Sequence, residues 1–223
     1  MAPVWVLSQR KGDNMFSEKI FAIANILDQA VLLLLVILSV ISVGMILERF
    51  FVLRKISAAS KKVRARIRMA LQANSVDDIE EIAKDPESLE GRVASYALRH
   101  MKTSGSLGLE EIFNTFSLSE RPDLEKRLGF LATVGSNAPY IGLFGTVLGI
   151  MKAFQDLAKS TDAGQQTVMA GISLSLVATA AGLFVAIPAV IFYNYYSKQV
   201  RSILQSLDSV KELCLAYAKK KGQ

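Results

Sequence analysis

Two long apolar stretches limit what this chain can fold into. Residues 129–154 read GFLATVGSNAPYIGLFGTVLGIMKAF, and residues 168–193 read VMAGISLSLVATAAGLFVAIPAVIFY. Each is long enough to cross a bilayer as a helix. Neither contains an acidic residue or a histidine. A helix that only anchors a protein is Leu-rich. These two instead carry Gly135, Gly142, Gly145 and Gly149 in one, and Gly171, Ser175, Thr179 and Gly182 in the other. Small residues at helical spacing let membrane helices approach closely. The pattern predicts helices packed around something, with the six glycines as packing positions.

A third stretch, residues 29–47 (QAVLLLLVILSVISVGMIL), is Leu/Val/Ile-rich, as expected for a lipid-facing helix. With 51% hydrophobic residues and a positive mean hydropathy, the chain reads as an all-α membrane protein with three transmembrane helices. The net charge of +6 would suggest nucleic acid in a soluble protein. No aromatic residues interleave with the basic run, so basic loops on the inner side of a membrane are the better reading, and no nucleic-acid partner is expected. The lone Cys214 excludes an internal disulfide. The lone His100 offers no metal constellation. No nucleotide-binding, nucleophile-elbow or zinc-protease motif occurs. No catalytic residue, metal site or cofactor is expected, and the chain does not read as an enzyme.

Charge sets the expected orientation. Arg49, Arg54, Lys55, Lys61, Lys62, Arg64, Arg66 and Arg68 follow the first span with no acidic residue among them, whereas three basic and three acidic residues precede it. The positive-inside rule places the N-terminus in the periplasm and the C-terminus in the cytoplasm of a bacterial inner membrane. Residues 1–28, with Phe16, Ile20, Ile23 and Leu27 at helical spacing, form an amphipathic interfacial segment. Residues 29–47, 129–154 and 168–193 are the spans. Residues 48–128 are a cytoplasmic helical region, 155–167 a periplasmic loop and 194–223 a cytoplasmic tail. Asn74 or Ser75 is expected to cap a helix, residues 104–108 to form a turn, and Arg121-Pro122 to break the chain.

Gly171, Ser175, Thr179, Gly182 and Ala186 share one face of span three, and Thr146 lies beside the seven-residue glycine stripe of span two. Such hydroxyls either bond their own preceding carbonyls or line a polar cavity. Pro139 and Pro188 each remove a backbone donor and can bend a span. A proton path ordinarily needs a titratable group in the membrane, and neither helix has one. Any carboxylate there has to come from another chain.

The strings from Phe130 to Phe154 and from Gly171 to Asn194, with Pro139-Tyr140-Ile141-Gly142-Leu143-Phe144-Gly145-Thr146-Val147 as the specific signature, resemble the TolQ/ExbB/MotA proton-channel family. The exit Leu47-Glu48-Arg49-Phe50 fits as well. The resemblance implies a homopentamer embedded in the lipid bilayer around an ExbD/TolR-like single-span partner, which supplies the membrane aspartate. It implies a stator that turns proton-motive force into mechanical work. The family's threonines of helices two and three carry over to Thr146 and Thr179, with Ser175 one turn away from the latter. The family's glutamate five residues before the second threonine is replaced here by Leu174, which leaves the partner's aspartate as the proton carrier. The competing expectation is a structural oligomeric scaffold without proton conduction. A solute transporter is disfavoured, because three spans without an internal repeat offer no midplane substrate site.

Overall fold

A computed structural model of the chain describes residues 4–72, 78–159 and 164–221, with side chains over 26–70, 78–158, 164, 166 and 168–220. It is helical throughout: α1 (Val4–Gln72), α2 (Ile79–Ile82), α3 (Leu89–Ser104), α4 (Leu109–Glu125), α5 (Leu128–Lys159) and α6 (Gly164–Lys221). Three of these helices, α1, α5 and α6, are long and apolar enough to cross a membrane. The candidate cap at Asn74 or Ser75, and residues 160–163 of the expected loop, lie outside the described residues.

The helices do not stop where the hydropathy does. α1 continues from the N-terminal segment through the first apolar stretch and on to Gln72. No proline interrupts it after Val4, and good helix formers such as Leu, Arg, Lys and Ala carry it past Leu47. α6 likewise runs through Pro188 to Lys221. The break expected at Arg121-Pro122 is absent. Pro122 sits inside the last turns of α4, where it forfeits a single backbone bond, and the chain turns instead at Lys126 and Arg127. The turn expected at residues 104–108 is present, with Gly105 and Gly108 both at positive φ. His100 lies beside it, its Nε2 2.7 Å from the Leu107 carbonyl oxygen.

The chain divides into two compact units. The first comprises residues through Gly44 together with Phe130–Ile191. Its core joins Val31 and Leu35 of α1, Val134, Ala138 and Leu148 of α5, and Val185, Ala186 and Ala189 of α6. Leu33, Val36 and Val40 on the other faces of α1 are exposed, which suits a lipid-facing helix.

The second unit comprises Met45–Gly129 and Phe192–Gln223. Along α6, Tyr196, Val200, Ile203, Leu207, Val210 and Cys214 are buried at alternating steps of four and three. Along α1, Leu53 and then, seven residues on, Ser60, Val63, Ile67 and Ala70 at steps of three, four and three keep the same heptad register. This is the seam of two helices wound side by side. They run parallel: Tyr196 donates its hydroxyl to the Ile46 carbonyl at 2.8 Å, and further along both helices Ser206 meets Ser60. Ser88 caps α3, its hydroxyl accepting from the Gly91 N–H at 3.0 Å. Gly91 has no room for a side chain, because a Cβ there would run into the Asp85 carbonyl oxygen. Arg49 is buried and donates to the Asp123 carbonyl oxygen at 3.1 Å. Burial lowers its pKa and Asp123 opposes the shift.

Candidate functional site in the apolar helix pair

Glycine spacing sets how α5 meets α6. On α5 the near positions are 135, 142, 149 and 153; on α6 they are 190, 182, 175 and 171, in descending order. The pair is therefore antiparallel and in register over most of its length. At the centre no side chain separates the backbones. A Cβ on Gly142 would lie 2.7 Å from the Ala178 carbonyl oxygen and 3.1 Å from the Thr179 Cα. A Cβ on Gly182 would lie 2.6 Å from the Ala138 carbonyl oxygen. Gly145 faces Ala178 and Val31, Gly149 faces Ser175, Gly171 faces Ala153, and Gly135 faces Val190. Contact this close gains dispersion along both backbones, the main attraction available to helices already surrounded by apolar tails.

The hydroxyls lie on and beside this seam. Thr146 stands between Gly142 and Gly149 and is buried, its hydroxyl donating to the Leu143 carbonyl at 2.6 Å. Ser175 is also buried and donates to the Ile172 carbonyl at 2.7 Å. Within one chain, both hydroxyls are thus bonded to their own helix. Thr179 lies at the edge of the seam and is half-exposed. Leu174 is 69% exposed. Five residues turn an α-helix by roughly 140°, so Leu174 and Thr179 flank opposite edges of the buried face. Pro139 and Pro188 both lie within unbroken helices.

Two polar features here did not stand out in the sequence. Ser42 of α1 is buried, and its hydroxyl has no partner among the described residues. It was hidden inside a run that read as lipid-facing. Ser136 and Asn137 of α5 point outward from the chain, and both donate to the Thr133 carbonyl, at 3.1 and 2.8 Å. The signal was available: an amide within a span is costly against lipid and has to face protein or water. Among the described residues, no cluster of metal-ligating side chains occurs.

Both seam helices fall largely within a family model that matches residues 85–209, more than half of the chain, and is described as the MotA/TolQ/ExbB proton channel family. The chain belongs to this family. Individual relatives agree. A Tol-Pal system protein TolQ of Pseudomonas aeruginosa is 54% identical over 85 residues, covering 38% of this chain and 37% of the relative. A biopolymer transport protein ExbB of Aquifex aeolicus is 45% identical over 92 residues, covering 41% of this chain and 62% of the relative. An ExbB of Pseudomonas putida is 31% identical over 186 residues, covering 79% of this chain and 55% of the relative. The matches to this chain thus span less than two thirds of these relatives' own lengths. Membership places the chain among channel and transport proteins with apolar helices of membrane-spanning length.

Proposed function

We propose that the chain is the ring-forming subunit of a proton-driven stator in the bacterial inner membrane. It acts with an ExbD/TolR-like single-span partner that contributes the membrane aspartate. The observation that carries this reading is the α5/α6 pair: hydroxyl-bearing and free of acids and histidine over residues 129–154 and 168–193, in a chain of a proton-channel family. Thr179, at the edge of the seam, is the hydroxyl closest to a shared path. Thr146 and Ser175 stand behind it and can exchange an intrahelical bond for water when the path hydrates. With Leu174 at the position of the family's glutamate, this chain offers no second carboxylate, so the borrowed aspartate works alone. Proton flow past it turns the ring, and the process that uses the torque is set by the partner. The N-terminus is assigned to the periplasm and residues 48–128 to the cytoplasm, on the strength of the basic run after Leu47.

The test is proton flux into liposomes holding the chain and its partner. Buried hydroxyl bonds in membranes are worth about 0.6 kcal/mol each, so Thr146→Val with Thr179→Val is expected to slow flux roughly tenfold. Flux equal to that of the unaltered complex would sink the reading. A scaffold without conduction has one specific observation in its favour: Thr146 and Ser175 are already bonded within their own helices. That reading predicts that the double valine variant stays fully functional.

A further inference from the structure

In the first unit, α5 leaves one face open, and that face changes character along its length. Toward the start of the helix it carries Thr133, Ser136 and Asn137; past Tyr140 it carries Leu143, Phe144, Val147 and Phe154. At about 100° per residue, all seven fall within an arc of about 120°. As a helix, residues 129–154 are about 39 Å long, against about 30 Å of hydrocarbon. With the surplus shared between the two ends, Asn137 lies about 8 Å inside the hydrocarbon, farther than its short side chain can reach back. An amide at that depth faces protein or water, because lipid offers it no hydrogen bond.

The Asn137 donors are spent locally. Its amide nitrogen donates to the Thr133 carbonyl at 2.8 Å and to the Ser136 hydroxyl at 3.1 Å, and the Ser136 hydroxyl donates to the same carbonyl. The Asn137 Oδ1 is left on the open face with no donor among the described residues. The side chains of α1 or α6 from a second copy cannot supply one. Every exposed residue of α1 over 30–44 is apolar, Val36, Val40 and Val43 among them. So is every exposed residue of α6 over 180–191, the stretch level with Asn137 in the α5/α6 register. Water can supply the donor, because the polar set runs unbroken from Thr133, at the edge of the hydrocarbon, to Asn137.

We propose that Thr133, Ser136 and Asn137 line one water-filled half of the proton path, open at the start of α5, with Asn137 Oδ1 holding the innermost water. About 13 Å of helix separates Asn137 from Thr146. Beyond Thr146, toward Phe154, the open face holds no water and the other half is dry. The inference rests on the stator reading, in which the borrowed aspartate works beside Thr146 and Thr179. A proton given up by that aspartate passes to this water and leaves toward the start of α5, while the dry half blocks a direct leak.

Thiol labelling of the full-length chain and its partner in liposomes tests it, with a charged methanethiosulfonate on both sides of the bilayer as probe. The reagent needs a thiol in water, and the native Cys214 is fully buried and stays silent. Ser136→Cys and Asn137→Cys should each react at least roughly tenfold faster than Val147→Cys, on the same face past Thr146, and than Leu34→Cys, on the exposed side of α1. Asn137→Leu should slow proton flux roughly tenfold, whereas Asn137→Ser, which still holds water, should stay within about twofold. Labelling of Ser136→Cys and Asn137→Cys no faster than of Leu34→Cys would overturn the inference, even in a complex that conducts. So would an equal rate for Val147→Cys, which makes the face wet throughout. So would labelling of the chain alone that the partner abolishes, which gives the face to the partner's helix. Fast labelling in a complex without proton flux would keep the water-filled face and refute the stator reading alone.

Discussion

Gly142 and Gly44 are both helical glycines in apolar stretches, and they differ only in what surrounds them. A methyl group at Gly142 would press on the backbone of α6, which cannot yield without shifting the helix. A methyl group at Gly44 would meet nothing within 4 Å. Gly142→Ala is therefore expected to destabilise the purified protein by about 1–3 kcal/mol, and Gly182→Ala likewise. Gly44→Ala should stabilise it by about 0.5–1 kcal/mol, because alanine gives up less freedom in a helix. Thermal unfolding in detergent reads both; equal shifts at Gly142 and Gly44 would refute the close crossing. The spacing of the glycines was visible in the sequence, but which of them face backbone and which face open space was not, because that depends on the partner helix. Cys214 shows the same limit: a lone cysteine in a basic tail gave no hint of its surroundings. It is fully buried, and burial pushes its thiol up to about 12, so little thiolate exists at neutral pH.

Among the elements, α1, α3 and α6 are joined in the second unit by a buried polar cluster. Glu90, in the first turn of α3, is fully buried, and its Oε1 accepts from both Ser60 of α1 and Ser206 of α6. Its Oε2 has no partner. Arg64 completes the cluster, donating to Ser60 at 3.2 Å and to Ser202 at 2.7 Å. Removing both hydroxyls leaves a buried carboxylate without donors, so Ser60→Ala with Ser206→Ala should cost about 3–5 kcal/mol. Adding Glu90→Leu should recover most of the loss, since an apolar set of similar volume is often as stable as the polar one. A triple variant less stable than the double, in the same unfolding assay, would show that Glu90 is held by something other than the two serines. None of this was legible beforehand. Residues 48–70 and 197–217 are rich in charge, and charge masked the seven-residue spacing of Leu53, Ser60 and Ile67 opposite Tyr196, Ile203 and Val210. The expected break at Arg121-Pro122 failed because the damage at Pro122 is local: its ring removes one N–H bond and crowds the Leu118 carbonyl, and the helix bears that cost and continues to Glu125.

For the whole molecule, hydropathy alone located the three long apolar helices, because span length and the absence of charge are properties of the chain itself. Hydropathy could not show that two of those helices continue far beyond the apolar stretch, since a helix needs only local bonding to go on. The hydroxyl face was legible as a face, yet its use inside a single chain emerged only with the α5/α6 register. Exposed apolar side chains remain on that pair, Phe184 at 75% and Tyr140 at 70% among them, and they suit lipid or further copies. If the ring reading holds, native mass spectrometry should give a complex containing five 24.4 kDa chains; a monomer under conditions that preserve membrane complexes would rule it out. One joint carries a further consequence. Arg127, just before α5, is the only described residue other than glycine at positive φ, 64°, a conformation that costs a side chain about 1–2 kcal/mol. Its guanidinium pairs with Glu48, at the far end of the first apolar stretch. Glycine would relieve the backbone there but would release the acid. The two positions are therefore coupled: Arg127→Gly relieves the backbone but forfeits the pair, whereas in a Glu48→Gln background the same change relieves the backbone with no pair to lose.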